Sequence, residues 1–319
     1  MSSLRAAAVL LGVLLAQLAF AQSYPSKPVA LVVPFAAGGG TDIVARLVAE
    51  RLKEPLKANV IVENRPGASA QIGNRYVIES APDGHTLLVG TTSLINGPAL
   101  FPKLPYDAEK QLRPVVSLAD LPIFLSVSTK HDVKTVREFI DMAKKSGNLN
   151  FASAGPGTTL HMSSEWLKLN GGFQATHIPF KGSSGAVVAL AGGQVDFSME
   201  NLGPVLPMVQ QNRVRLLAVA SHQRHPHVPD VPTLGQSGLP DVNLATWIFL
   251  MAPAATPDAV VMLLNRTVNE ILARPDMKEK LLEQGFIGTG GTIEEMQKRM
   301  KSEAALWGTV IKAAKITVE

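Results

Sequence analysis

Two stretches decide the fold: Val33-Pro34-Phe35-Ala36-Ala37-Gly38-Gly39-Gly40-Thr41-Asp42 and Ala152-Ser153-Ala154-Gly155-Pro156-Gly157-Thr158-Thr159. Each follows an apolar run (Val29 to Pro34; Leu149 to Ser153), and each leads into a helical pattern. After the first, Ile43, Val44, Leu47, Val48 and Leu52 share one face. After the second, the pattern runs through Trp166 to a Gly171-Gly172 stop. A strand, a Gly-rich loop and a helix start thus occur twice, about 115 residues apart. Such loops lie at the C-terminal edge of a sheet, where open α/β sheets bind ligands.

Outward from these loops, strands and helices alternate, which implies α/β layers with largely parallel sheets. Val60–Val62, Thr86–Val89, Ile123–Val127, Ala175–Ile178, Val195–Phe197, Leu216–Val219 and Val242–Met251 read as strands. Thr135 with Glu138 makes a capping box for a helix ending near Gly147. Helices are also expected near Ser184–Leu190, Pro204–Gln211 and Pro257–Ala273, and a last one is capped by Thr292 and Glu295.

The first residues point to export. Arg5 precedes an apolar stretch from Ala6 to Phe20, and Ala19-Phe20-Ala21 is a small-x-small cleavage site, so residues 1–21 read as a signal peptide. The stretch is short for a bilayer span, and Gly12 and Gln17 interrupt it. With no Cys, disulfides, Cys-ligated zinc and a lipid anchor are excluded. The net charge of +4, scattered basic residues and 5% aromatics argue against nucleic acid.

A Gly-rich turn into a helix offers backbone N–H groups and the positive end of the dipole to an anion. Gly38, Gly39, Gly40 and Thr41 do so on one side, and Gly155, Gly157, Thr158 and Thr159 on the other. Enzyme motifs are missing: there is no G-x-S-x-G, no Walker loop and no H-E-x-x-H, and Ile43 breaks a dinucleotide spacing. Ser153 with His161 is the one nucleophile–base pair near a plausible cleft, as a secreted hydrolase requires. His161 reads equally as a core or as a ligand-facing imidazole. Lys181-Gly182-Ser183-Ser184 is a helix start that is either a plain cap or a cleft contact. His222, His225 and His227 read as a solvated loop.

The chain resembles the Bug receptor family, the substrate-binding proteins of tripartite tricarboxylate transporters. The resemblance is carried by the first loop, Tyr24-Pro25-Ser26-Lys27-Pro28, Glu63-Asn64-Arg65-Pro66-Gly67-Ala68, Ala81-Pro82-Asp83-Gly84 and Leu104-Pro105-Tyr106-Asp107. Ala152-Ser153-Ala154-Gly155 with His161, Pro179-Phe180-Lys181-Gly182, Pro229-Asp230-Val231-Pro232-Thr233 and Ala252-Pro253-Ala254-Ala255-Thr256-Pro257 extend it to the rest of the chain. It implies an α/β, two-lobed periplasmic-binding-protein fold (Venus flytrap, type II) with crossover strands near Leu121–Ser126 and Thr246–Met251. Lobe 1 would comprise residues 22–122 plus 247–319, and lobe 2 residues 123–246.

The resemblance also implies a small carboxylate ligand, no cofactor, no metal and no catalysis. Phe35, Ala37, Thr41 and Asp42 of the first loop, and Ser153, Gly157, Thr158, Thr159 and His161 of the second, would hold the ligand. Ser93, in the Thr91–Asn96 loop, and Lys181 join them. Glu200 and Asn201 are alternatives for its far end, because Asp196-Phe197-Ser198-Met199-Glu200-Asn201 departs from the family pattern; Phe180 stands where Tyr is usual. The implied partners are the large and small membrane components of a transporter, served by a monomer without an anchor. A sensory receptor presenting the bound acid to a kinase is the alternative.

Overall fold

The computed structural model describes residues 24–101, 103–313 and 316. The expected signal peptide lies outside them. In chain order the first part contains β1 (Val29–Val33), α1 (Gly40–Leu56), β2 (Val60–Asn64), α2 (Gln71–Ile78), β3 (Thr86–Thr91), α3 (Thr92–Leu100) and α4 (Ala108–Gln111). A long strand β4 (Leu112–Ser128) leads to α5 (Val136–Ser146), β5 (Leu149–Ser153), α6 (Thr159–Gly171), β6 (Ala175–Pro179), α7 (Ser183–Ala191), β7 (Phe197–Asn201), α8 (Leu202–Gln210) and β8 (Val214–Val219). The chain finishes with β9 (Ala245–Pro253), α9 (Asp258–Ala273), α10 (Pro275–Glu283), β10 (Ile287–Gly288) and α11 (Ile293–Ala313).

The strands form two sheets that share β4. In the first, β2-β1-β3 are parallel, β9 pairs antiparallel between β3 and β4, and β10 pairs with β4. In the second, β7-β5-β6 are parallel, and β4 pairs antiparallel with β7 and β8. The sheets are therefore mixed, and the expectation of largely parallel sheets is corrected. Parallel triplets arise where a helix connects successive strands, whereas β4 and β9 are long returning strands.

The change of sheet occurs within β4. Pro122 still pairs with Ala245 of β9, and Ile123 already pairs with Asn201 of β7. The second passage is at Leu244, whose N–H donates to the Ala220 carbonyl. Thus Leu121–Ser126 spans one crossing as expected. Thr246–Met251 lies wholly in the first sheet, just past the other.

The apolar faces behave as their spacing dictates. Val44, Val48 and Leu52 of α1 are fully buried against β1 and β3 in one core. Burying each such side chain contributes about 1.5–3 kcal/mol. Thr135 and Glu138 form the capping box of α5, and Gly147 ends that helix at φ 71°. A third feature links the sheets: α11 places Met296 in the core around Trp247 and Phe249, and Trp307 and Ile311 in the core around Phe139 and Phe151. Among the described residues, no helix is long and apolar enough to cross a membrane.

Candidate ligand cleft

Five helices begin at one narrow cleft between the sheets. Its wall holds Phe35, Gly39, Gly40 and Thr41 at the start of α1, Thr91 and Ser93 at the start of α3, and Ala154, Thr158, Thr159 and Leu160 at the start of α6. Ser183 at the start of α7, Asn201 before α8 and Thr246 of β9 complete it. No charged side chain is among them. The Thr91 side chain caps α3 by accepting from the Ser93 N–H, and the Thr158 side chain caps α6 by accepting from the His161 N–H. At α1 and α7 the N-cap residues are Gly39 and Gly182, which have no side chain to cap with. The Thr159 hydroxyl is buried without a partner.

Each helix end favours an anion by about 0.3–1 kcal/mol, more where water is excluded. Each charge-assisted hydrogen bond contributes about 1.5–3 kcal/mol. Several together reach micromolar affinity, about −8 kcal/mol, without any lysine or arginine.

The first loop is held by Asp42, which is 3% exposed. Its carboxylate accepts from the Gly38 N–H (2.9 Å), Arg46 Nε (2.9 Å) and Asn64 Nδ2 (2.9 Å). Burial alone would raise its pKa, but these hydrogen bonds outweigh it and hold the carboxyl below its ordinary value. The first loop also reaches across the cleft. The Ala36 N–H donates to the Lys181 carbonyl (3.1 Å), and a Cβ on Gly39 would stand 3.5 Å from that of Ser183.

The second loop is held from behind by a buried polar stack. Gly155 N–H donates to Ser153 Oγ (3.1 Å), and that oxygen stands 2.7 Å from His177 Nε2. The His177 ring stacks on His161 at 4.1 Å between centroids, and His161 Nδ1 accepts the Gly157 N–H (3.1 Å). That bond fixes Gly157 at φ 72°, where a β-carbon would also press on Leu100. Burial, with the neighbouring His177 and Lys168 charges adding to it, depresses His161 to about 3; burial and Lys168 depress His177 to about 4. Both imidazoles are neutral at neutral pH.

Of the residues expected from sequence, Phe35, Thr41, Ser93, Thr158, Thr159 and Asn201 line the cleft. Asp42, Ser153, Gly157 and His161 stand behind it and shape the two loops. Ala37 and Lys181 are exposed, and Lys181 acts through its carbonyl. Glu200 is fully buried beneath Ser183. The expected Ser153–His161 pair is replaced by Ser153–His177, with Ser153 itself fully buried. The expected Thr91–Asn96 loop brings Thr91 as well as Ser93 to the wall, whereas Leu160 and Thr246 as wall residues, and His177, were missed. The hydroxyl run Thr91-Thr92-Ser93 at the end of a strand was the available signal; His177 and Thr246 carried none. Among the described residues, no group of three or more His, Asp or Glu could hold a metal.

The profile described as "Tripartite tricarboxylate transporter family receptor" matches residues 44–316. The chain belongs to that family. It is 35% identical over 295 residues to BugT of Bordetella pertussis, covering 92% of this chain and 90% of BugT. An R. palustris protein solved with adipate superposes at a TM-score of 0.90 with 34% identity, covering 92% of this chain and 99% of that one. MatC of Rhodopseudomonas palustris with bound malate gives 0.84 and 32%, covering 90% and 100%. The receptor family is one of solute-binding proteins, and its solved members include periplasmic binding proteins with carboxylates in place.

Proposed function

We propose that this chain is a periplasmic receptor, freed by cleavage after residue 21, that captures a small di- or tricarboxylate, or an aromatic carboxylate, as a monomer. It hands the acid to the large and small membrane components of a tripartite transporter. Residues 22–122 with 247–319 form one lobe and residues 123–246 the other, with α11 crossing between them. The lobes close on the ligand by turning about β4 and Leu244.

The observation that carries this reading is the meeting of five helix N-termini at a cleft with no charged wall residue. A neutral wall of N–H and hydroxyl donors suits an anion and offers no carboxylate to a basic solute. The adipate and malate bound by relatives of about one-third identity support the same chemical class.

A thermal-shift panel of dicarboxylates, tricarboxylates, aromatic acids and amino acids on residues 22–319 tests it. A ligand at about 100 times its Kd adds about 2.7 kcal/mol. At this chain length that raises the melting temperature by about 4 °C. Folded protein with no shift for any acid, or a shift only for uncharged solutes, would sink the assignment.

A further inference from the structure

Glu200 sits at the end of β7, with none of its surface exposed. One carboxylate oxygen accepts from the Ser183 hydroxyl (2.5 Å) and from the Asn201 N–H (2.9 Å). The other oxygen is buried with no partner. Among the described residues, no ion pair reaches it. Its cross-strand neighbour on β4 is Phe124. The core around Phe124 is filled from α7 and α8 by Ala186, Val187, Leu202 and Val205. The titratable group on that side is His225, edge-on to Phe124 at 5.9 Å, which burial holds below its ordinary pKa and so neutral. Lys181, in the loop before α7, is exposed, and Asp42, across the cleft, is taken up by Arg46 and Asn64. An ionised Glu200 would be a buried anion with one of its own oxygens orphaned, a costly state.

Ser183 couples this group to the cleft, because it both lines the wall and touches Glu200. A serine has one proton to give. If Glu200 is ionised, the Ser183 proton goes to it, and the cleft meets only oxygen lone pairs, which repel a carboxylate. If Glu200 is protonated, it donates to Ser183 Oγ, and the hydroxyl turns to donate into the cleft.

We propose that Glu200 holds a proton whenever a carboxylate occupies the cleft, and that Ser183 relays its presence, so that anion capture and proton uptake from solvent are linked. This rests on reading the cleft as a carboxylate site. Burial pushes Glu200 up to about 8, which places the linkage just above neutral pH.

Isothermal titration with adipate at pH 7 and pH 9, where both its carboxyls are ionised, tests the link. Each pH is run in two buffers of different ionisation enthalpy. The wild type is expected to bind about tenfold more weakly at pH 9 and to take up close to one proton there. Glu200→Gln, whose amide can donate to Ser183 at any pH, is expected to bind equally at both and take up none. Ser183→Ala should bind more weakly at pH 7 and lose the pH dependence. Wild-type affinity that is the same at both values with no proton uptake overturns the proposal, as does a Glu200→Gln protein keeping the wild-type dependence. Should that variant not fold, the wild-type proton count and Ser183→Ala still decide. If neither adipate nor any acid of the panel binds at either pH, the receptor reading falls and takes this proposal with it.

Discussion

Acidifying the ligand-free Glu200→Gln protein from pH 7 to pH 4 is expected to cost roughly 3–5 kcal/mol of folding stability. The loss comes mainly from His161 and His177, with His225, also held below its ordinary value by burial, adding to it. The folded-state values of His161 and His177, about 3 and about 4, lie below the ordinary 6.5. Below pH 6.5 the unfolded chain therefore takes up protons that the folded chain refuses. The stability is complete above that pH and drains away as the pH falls towards the folded values. A lone burial effect of this size would be worth more for two rings. The rings stack on each other at 4.1 Å, so a proton on one opposes a proton on the other and the two losses do not add in full.

The wild type should lose less over the same range, because Glu200 acts with the opposite sign. Its folded value, about 8, lies above the ordinary 4.5. Its contribution is fully present below pH 4.5 and is lost as pH rises through 8. Between pH 7 and pH 4.5, acidification thus stabilises the wild type through Glu200 while destabilising it through the histidines. Asp42 and Asp196, both held below their ordinary value, add their losses only at more acid pH. Urea unfolding at pH 7, 5.5 and 4 for the wild type, Glu200→Gln and His177→Gln would check the signs. A Glu200→Gln protein no more acid-sensitive than the wild type would refute them.

Replacing Asp42 by alanine is expected to weaken binding of whichever acid the thermal-shift panel selects about a hundredfold, close to 3 kcal/mol, with a smaller loss of stability. The carboxylate does not line the cleft. It gathers the Gly38 N–H, Arg46 and Asn64 into one conformation of the Gly38–Gly40 loop. Without it, three donors lose their acceptor, each at about 1 kcal/mol or more. The backbone N–H groups of α1 must then be ordered at the moment of binding. Arg46 is half exposed and turns to water, so its own loss is small. Titration calorimetry beside a melting curve separates the two effects. An unchanged Kd in a folded variant would mean that the loop keeps its shape without its anchor.

Much of this was legible in the sequence because the signals were local. Both Gly-rich loops, the Thr135–Glu138 box and the Gly147 and Gly172 helix ends announce themselves within a few residues. The lower half of β4 did not, because Pro114 and Pro122 interrupt a strand whose pairing with β9 comes from far along the chain. Helix α3 was hidden by Pro98 and α10 by its short, charged turn pattern. Within the site, wall residues at helix starts could be named, since capping chemistry follows from residue type. The separation of wall from support could not. Whether Asp42, His161 or Glu200 faces the cleft depends on Asn64, His177 and Ser183, and in each case that partner lies 16 or more residues away in the chain.

Helix α11 has a mechanical consequence. Its 21 residues form a rod about 31 Å long. One end is seated by Met296 in the core around Trp247, and the other by Trp307 in the core around Phe139. In between, Arg299 grips Asp120 with both terminal guanidinium nitrogens and lies over the Trp247 ring at 4.4 Å. Two strands alone would leave the lobes free to swing widely. A stiff brace bolted to both bodies allows only the travel it can absorb by flexing or by lifting Trp307 from its seat. On the proposed receptor reading, part of the work of opening the cleft is done on this rod.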